Sequence, residues 1–232
     1  MSFCQTPIIV ALDYPTSDAA LKLADQFDPK LCRVKVGKEL FTSCSAEIVG
    51  TLRDKGFDVF LDLKFHDIPK TTAMAVKVAA EMGVWMVNIH CSGGLRMMTA
   101  CRDVLEQRSG PKPMLIGVTV LTSMEREELA SIGLDIEPHE QVMRLASLAQ
   151  EAGLDGLVCS ALEARDLKIA HPALKLVTPG IRSAGSAQDD QRRIMTARQA
   201  IDSGSDYLVI GRRVTQSDDP AKELSAVVAE IS

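Results

Sequence analysis

Three charged residues crowd the end of one apolar run, Asp58-Val59-Phe60-Leu61-Asp62-Leu63-Lys64-Phe65-His66-Asp67-Ile68. The composition is that of a β-strand, in which successive side chains point to opposite faces. Asp62 and Lys64 then share one face, while Leu61, Leu63 and Phe65 take the other. Charges on an otherwise apolar strand are costly unless paired. A lysine held between carboxylates keeps its proton and becomes a fixed proton donor, with Asp62 on its own strand and Asp67 three residues on. A buried structural ion pair is the competing reading, because such networks also perturb titration. The spacing favours a catalytic cluster.

The elements that must position this cluster follow from the rest of the chain. Short β-rich runs at 7–13, 32–37, 58–64, 85–91, 113–121, 156–160, 174–179 and 207–211 alternate with amphipathic stretches at 17–27, 43–54, 70–82, 94–107, 139–152, 161–169, 189–203 and 220–230. Ser17, Ser43 and Asp189 are candidate helix caps, and Pro220 suits a first helical position. Four helices end in a recurring join, Lys-Gly-Phe-Asp (55–58), Met-Gly-Val-Trp (82–85), Ala-Gly-Leu-Asp (152–155) and Ser-Gly-Ser-Asp (203–206). Glycine there is the usual left-handed helix terminator. Eight strand–helix units predict a parallel sheet closed into a (β/α)₈ TIM barrel, with residues 1–232 as a single domain. An open doubly wound sheet is the runner-up, weakened because no Gly-x-Gly-x-x-Gly follows the first strand.

In such a barrel the chemistry sits at the carboxyl ends of the strands. Taken in order, these ends carry Asp13, Lys35, Asp62 with Lys64, His90, Thr122 with Ser123, Gly180 with Arg182, and Gly211 with Arg212. Two lysines and at least two aspartates therefore converge on one mouth. The segments Thr178-Pro179-Gly180-Ile181-Arg182 and Val209-Ile210-Gly211-Arg212-Arg213 each pair a close-approach glycine with arginine, after the two strands whose loops commonly bind phosphate. The polar segment 183–189 has the composition of a closing lid. His90 is read as a hydrogen-bonded structural residue, His66 as pointing away from the face of Lys64, and His139 and His171 as solvated.

Bulk properties narrow the partners. The chain has 232 residues, 46% of them hydrophobic, and a net charge of −5 with no basic stripe, which argues against nucleic acid and anionic membranes. The six cysteines show no Cys-x-x-Cys pair and are expected reduced and packed as small apolar residues. No histidines or acids stand at metal-ligand spacing, so no metal is expected. With no signal peptide and no membrane-length apolar run, a cytoplasmic protein is expected.

With these residues assembled, the chain resembles the orotidine 5′-phosphate decarboxylase family in its bacterial form. The resemblance is carried by Ala11-Leu12-Asp13, Val34-Lys35-Val36-Gly37, Asp62-Leu63-Lys64-Phe65-His66-Asp67-Ile68-Pro69, Thr119 to Thr122, Thr178 to Arg182 and Gly211-Arg212. It implies cofactor-free, metal-free decarboxylation at C6 of a pyrimidine nucleotide, orotidine 5′-phosphate to uridine 5′-phosphate, in pyrimidine biosynthesis. Lys35, Asp62, Lys64 and Asp67 match the family's charged tetrad, with Lys64 as proton donor. Asp67, Ile68 and Thr71 would come from the partner subunit of a homodimer with shared sites. Asp13 and Lys35 would hold the ribose, and Thr122 and Ser123 would meet the pyrimidine. Gln191, Arg182, Gly211 and Arg212 would take the phosphate, with Pro179 among the substrate contacts.

Two positions depart from the pattern: Arg213 and Ala197 stand where proline is common. Two alternatives remain. One is the Mg²⁺-dependent sugar-phosphate sister group (keto-gulonate phosphate decarboxylase and hexulose phosphate synthase), which has an acidic residue where this chain has Lys35. The other is a non-catalytic barrel that binds a phosphate ligand.

Overall fold

The computed structural model describes residues 4–182 and 195–231. Its eight strands are β1 Ile8–Ala11, β2 Arg33–Gly37, β3 Val59–Phe65, β4 Met86–His90, β5 Met114–Val118, β6 Gly156–Val158, β7 Lys175–Thr178 and β8 Tyr207–Ile210. Each pairs in parallel with its sequence neighbours, and β8 closes on β1, giving the single-domain (β/α)₈ barrel that the alternation implies. Among the described residues the helices are α1 Ser17–Ala24, α2 Lys38–Cys44, α3 Glu47–Asp54, α4 Pro69–Glu81, α5 Leu95–Glu106, α6 Arg126–Ser131, α7 Pro138–Glu151, α8 Ala164–Ala170, α9 Ala197–Asp202, α10 Arg212–Thr215 and α11 Pro220–Ile231.

The strand alternation builds two cores. Ile9, Phe60, Met86, Ile116 and Val177 fill the barrel interior. On the opposite strand faces Val10, Val34, Leu61 and Val87 face outward beneath the helices. Full burial of side chains of this size contributes about 1.5–3 kcal/mol each, which is what closes the cylinder. At the four joins Gly56, Gly83, Gly153 and Gly204 all have positive φ, from 72° to 105°. At Gly83 an added Cβ would also lie 2.6 Å from the Arg53 guanidinium carbon.

The boundaries differ from expectation where apolar composition outlasts strand pairing. The expected 113–121 strand pairs only as Met114–Val118, and 7–13 only as Ile8–Ala11. Leu12 and Val120 are nonetheless buried, because loops at the barrel mouth pack against the same core. Apolar pattern reports burial, and pairing is a separate condition. The expected helix at 43–54 is two helices broken at Ser45, whose φ is +56°. Ser43 is accordingly inside α2 and donates to Leu40 O, while the cap of α1 is Thr16, one residue before Ser17. Pro220 opens α11 as expected, and Asp189 lies outside the described residues.

Candidate active site

Three strands supply the charged cluster. In β2 and β3 the register pairs Lys35 with Phe60 and Gly37 with Asp62, so Lys35 and Asp62 rise on the interior face just above the apolar plug. Lys35 Nζ lies 2.9 Å from Asp13 Oδ1 and 3.4 Å from Asp62 Oδ2, and Lys64 Nζ lies 2.6 Å from Asp62 Oδ1. Charges therefore alternate Asp13, Lys35, Asp62, Lys64 across the mouth. Lys35 and Asp62 are each only 8% exposed.

Burial opposes the charge on both groups, yet their neighbours win. Burial drags Lys35 down, but the Asp62 and Asp13 carboxylates together raise it above an ordinary lysine. Burial likewise pushes Asp62 up, but Lys35, Lys64 and Asn88 together hold it below the usual carboxylate value. Asp62 therefore stabilises the fold above the ordinary carboxylate pKa, and that contribution is lost as pH falls through its depressed value. Lys35 stabilises below the ordinary lysine pKa and loses its contribution as pH rises through its raised value.

The strand geometry at Lys64 is not that of a regular ladder. Pairing of β3 with β4 runs through Leu61↔Val87 and resumes only at Phe65↔Ile89, so a bulge holds Asp62, Leu63 and Lys64. Lys64 sits there at φ +50°, a left-handed backbone that costs a non-glycine residue on the order of 1–3 kcal/mol. Strand alternation put Asp62 and Lys64 on one face, and they do meet, through a bulge the sequence did not announce. Among the described residues the carboxylate at Lys64 Nζ is that of Asp62. Asp67 is exposed, and its carboxylate accepts the Ile68 N–H at 2.6 Å.

The cluster opens into a cavity of about 490 Å³, within the size of ordinary small-ligand sites. Asp13, Lys35, Asp62 and Lys64 line one side, and Thr122, Pro179, Gly180, Arg182, Gly211 and Arg212 line the rest. Most of the expected site residues thus share one space. Ser123 lies in the turn beside Thr122 outside that lining, and Asp67, Ile68 and Thr71 stand exposed on α4 and the segment leading into it. Gln191 and the expected lid at 183–189 lie outside the described residues. Arg213 does not line the cavity; it points at α11, with Nε 2.8 Å from Glu223 Oε1 and Nη1 2.8 Å from Glu230 Oε2.

Sequence reasoning missed two residues here. Gln216, just past α10, lines the cavity and carried no signal. Asn88, fully buried in β4, bonds both Asp62 and the Lys64 backbone. A lone amide in the apolar run Met86-Val87-Asn88-Ile89 was the clue. The His90 ring packs 5.4 Å from His66, and burial first, then the neighbouring His66, Lys38 and Lys64, push it down to about 4. His139 is exposed beside Asp166, but His171 is buried and bonds Gln150, contrary to its expected solvation.

All six cysteines are free and five are buried, with burial raising Cys91 and Cys101 to about 12. Acidic residues do gather once among the described residues, at Glu125, Glu127 and Glu128, whose carboxylates lie within 4.8 Å of one another. They are on the surface at the start of α6, where acids answer free helix N–H groups, and away from the cavity lining. No helix among the described residues is long and apolar enough to cross a membrane.

Comparisons with known proteins place the chain among its relatives. The chain is 85% identical over 232 residues to the orotidine 5′-phosphate decarboxylase of Pseudomonas fluorescens strain SBW25, covering the whole of both chains. A solved orotidine 5′-phosphate decarboxylase from Lactobacillus acidophilus matches at 33% identity and a TM-score of 0.87, over 97% of this chain and 99% of that one. An uncharacterized conserved protein from Geobacillus kaustophilus matches at 37% identity and 0.84, over 97% and 100%. The model of the orotidine 5′-phosphate decarboxylase / HUMPS family matches residues 6–227, nearly the full chain, and the protein belongs to that family.

Proposed function

We propose that this protein is a carboxy-lyase that converts orotidine 5′-phosphate to uridine 5′-phosphate and CO₂, a step of pyrimidine biosynthesis, without metal or organic cofactor. The observation that carries the reading is the Asp13–Lys35–Asp62–Lys64 chain of alternating charges on the wall of a nucleotide-sized cavity. Relatives of this name at 85% identity over the full length support the same activity.

Cleavage of the bond between C6 and the carboxylate releases CO₂ and leaves an electron pair on the ring carbon. The Lys64 ammonium, held by Asp62, neutralises that charge and then delivers its proton to C6. Arg182, Gly211 and Arg212 take the phosphate at the far side of the cavity, Asp13 and Lys35 the ribose, and Thr122 with Ser123 the pyrimidine. Because the matching family also contains Mg²⁺-dependent members, Lys35 decides between the two branches. Its ammonium lies between Asp13 and Asp62, where it would repel a divalent ion.

The exposed face of Ile68, Thr71, Met74 and Val78 supports a homodimer, with Ile68 67% exposed and Met74 and Val78 more than 40%. Asp67, Ile68 and Thr71 would then complete the partner's cavity. A cytoplasmic location follows from the pathway.

The deciding experiment is turnover of orotidine 5′-phosphate, followed by loss of substrate absorbance, after exhaustive chelation. Activity is expected to persist, and an absolute Mg²⁺ requirement would move the protein to the sugar-phosphate branch. Mixing inactive Asp67→Ala and Lys64→Ala subunits should restore part of the activity. No recovery despite demonstrated subunit exchange would return Asp67 to its own chain's site.

A further inference from the structure

The charged cluster depends on a residue that neither lines the cavity nor carries charge. Asn88 is fully buried in β4, opposite the bulge of β3. A regular ladder would bond the Lys64 N–H to a backbone carbonyl of the neighbouring strand. Here the bulge displaces it, and the Asn88 side-chain Oδ1 accepts that N–H at 2.8 Å. The same amide donates its Nδ2 to Asp62 Oδ1 at 2.7 Å, the oxygen that also accepts from Lys64 Nζ at 2.6 Å. One planar group thus holds the backbone of the lysine and the carboxylate that the lysine's ammonium grips.

We infer that Asn88 is a positioning residue that sets the reach of Lys64 toward the reacting carbon. This rests on the decarboxylase reading for its catalytic consequence, though not for its geometry. Two features make the amide the right group. Lys64 sits at φ +50°, a conformation a lysine abandons unless its surroundings hold it, and Asn88 supplies the hydrogen bond that does so. Asp62 must stay charged between Lys35 and Lys64, and a neutral donor favours its charged form without competing with either cation. A carboxylate at position 88 would repel Asp62, and an apolar side chain would leave the part-buried Lys64 N–H without its acceptor. Since Asn88 is absent from the cavity lining, its loss acts on geometry rather than on substrate contact.

Two variants separate the arms. Asn88→Ala removes both bonds. Asn88→Asp keeps an acceptor for the Lys64 N–H but sets a second carboxyl against Asp62. Turnover is measured per active site, titrated with a tight-binding nucleotide analogue, so that misfolded protein does not count. Asn88→Ala is expected to lower kcat roughly tenfold to a hundredfold, the scale of a misplaced reacting group, with KM and uridine 5′-phosphate binding within about twofold of the parent. Asn88→Asp, of the same size and the safer of the two for folding, is expected to move the acid limb of the kcat profile to higher pH, because two adjacent carboxyls share a proton.

A merely structural asparagine would lower the folded fraction and leave both readouts unchanged, and that result overturns the proposal. Crystal structures of the variants test it without turnover. In Asn88→Ala, Lys64 should leave its left-handed backbone and Nζ should withdraw from Asp62; retention of both overturns the assignment. If the parent protein fails to decarboxylate orotidine 5′-phosphate, the proposed function falls while these structures still decide the role of Asn88.

Discussion

The barrel buries a cation at each end of the same strand, and the two are treated differently. Arg33 opens β2 at the floor, and Lys35, two residues on and on the same interior face, stands at the mouth. Arg33 donates to Thr6 O at 2.6 Å and Cys4 O at 3.4 Å, its Nε lies 3.5 Å from Asp58 Oδ2, and its guanidinium carbon lies 4.4 Å from the Trp85 ring centre and 5.4 Å from that of Tyr207. Trp85 and Tyr207 meet edge to face at 5.1 Å, so the floor is a plug of aromatic faces with a flat cation against them. Lys35 has carboxylates for partners and a cavity beside it. At the floor, carbonyls, ring faces and the Asp58 carboxylate enclose the cation away from the cavity. Alternating ammonium and carboxylate groups on a cavity wall keep charge available to a ligand. A buried cation with a carboxylate partner is common to both ends; what distinguishes the site is the cavity that opens beside the charges.

The largest effect should come from the mouth. Lys64→Ala removes the proposed donor, and turnover should fall by at least about a hundredfold, the low end for general acid catalysis. Binding of a nucleotide product analogue, measured by calorimetry, should survive, because the phosphate and ribose contacts lie elsewhere in the cavity. A smaller loss would make another group the donor and remove the chemical half of the contrast between mouth and floor.

Next comes the phosphate side. Guanidinium-to-phosphate bonds are charge-assisted and often bidentate, so Arg212→Ala should cost on the order of 2–5 kcal/mol in kcat/KM for the nucleotide. A substrate lacking phosphate should be hardly affected, since it never made the contact. Equal losses on both substrates would show that Arg212 supports the mouth as Arg33 supports the floor, through structure alone.

How much of this was legible beforehand differs between the two ends. The barrel was readable because its alternation and its four glycine joins are local signals. The Asp62–Lys64 pair was readable because charges on an apolar strand demand partners. The bulge that lets Lys64 reach Asp62 was not, because it arises from the mismatch of β3 with β4, and pairing between strands leaves no mark on either alone. Asn88 and Arg33 were passed over for a related reason. Asn88 is a lone amide in an apolar run and Arg33 shares its strand with Lys35, and the partners of both come from other strands or from the chain's N-terminal segment. Strand ends were overextended at Leu12 and Val120, where burial continues without pairing.

The floor should answer in stability. Arg33→Met keeps an unbranched stem against Trp85 and Tyr207 but strips donors from Thr6 O and Cys4 O and removes the cation beside the Asp58 carboxylate. Leaving such acceptors short costs about 1–3 kcal/mol and breaking a buried ion pair about 3–5, in part offset by the retained packing, so a net loss of about 3 kcal/mol is expected in chemical denaturation. Turnover per titrated site should stay within about threefold. A drop in turnover without a drop in stability would mean that the floor reaches the chemistry, and the division between the ends would fail.

The smallest effect is expected at Arg213, where the family resemblance leads one to look for proline. Its side chain is 11% exposed and ties α10 to α11 through Glu223 and Glu230, both partly exposed. Position 213 is the second residue of α10, in the first helical turn, where proline is tolerated because the N–H there lacks an intrahelical acceptor. Arginine therefore replaces a backbone constraint with a side-chain tether between two helices. Arg213→Ala loses the tether without gaining the constraint, and should lower stability by about 1 kcal/mol, between an exposed and a buried ion pair. Arg213→Pro should recover part of that loss by stiffening the unfolded chain. Neither should change kcat/KM for the nucleotide by more than about threefold, because Arg212 and not Arg213 lines the cavity. A large KM increase for Arg213→Ala, absent with a substrate lacking phosphate, would show that the tether also orients Arg212, and Arg213→Pro would then show whether a fixed backbone can do the same.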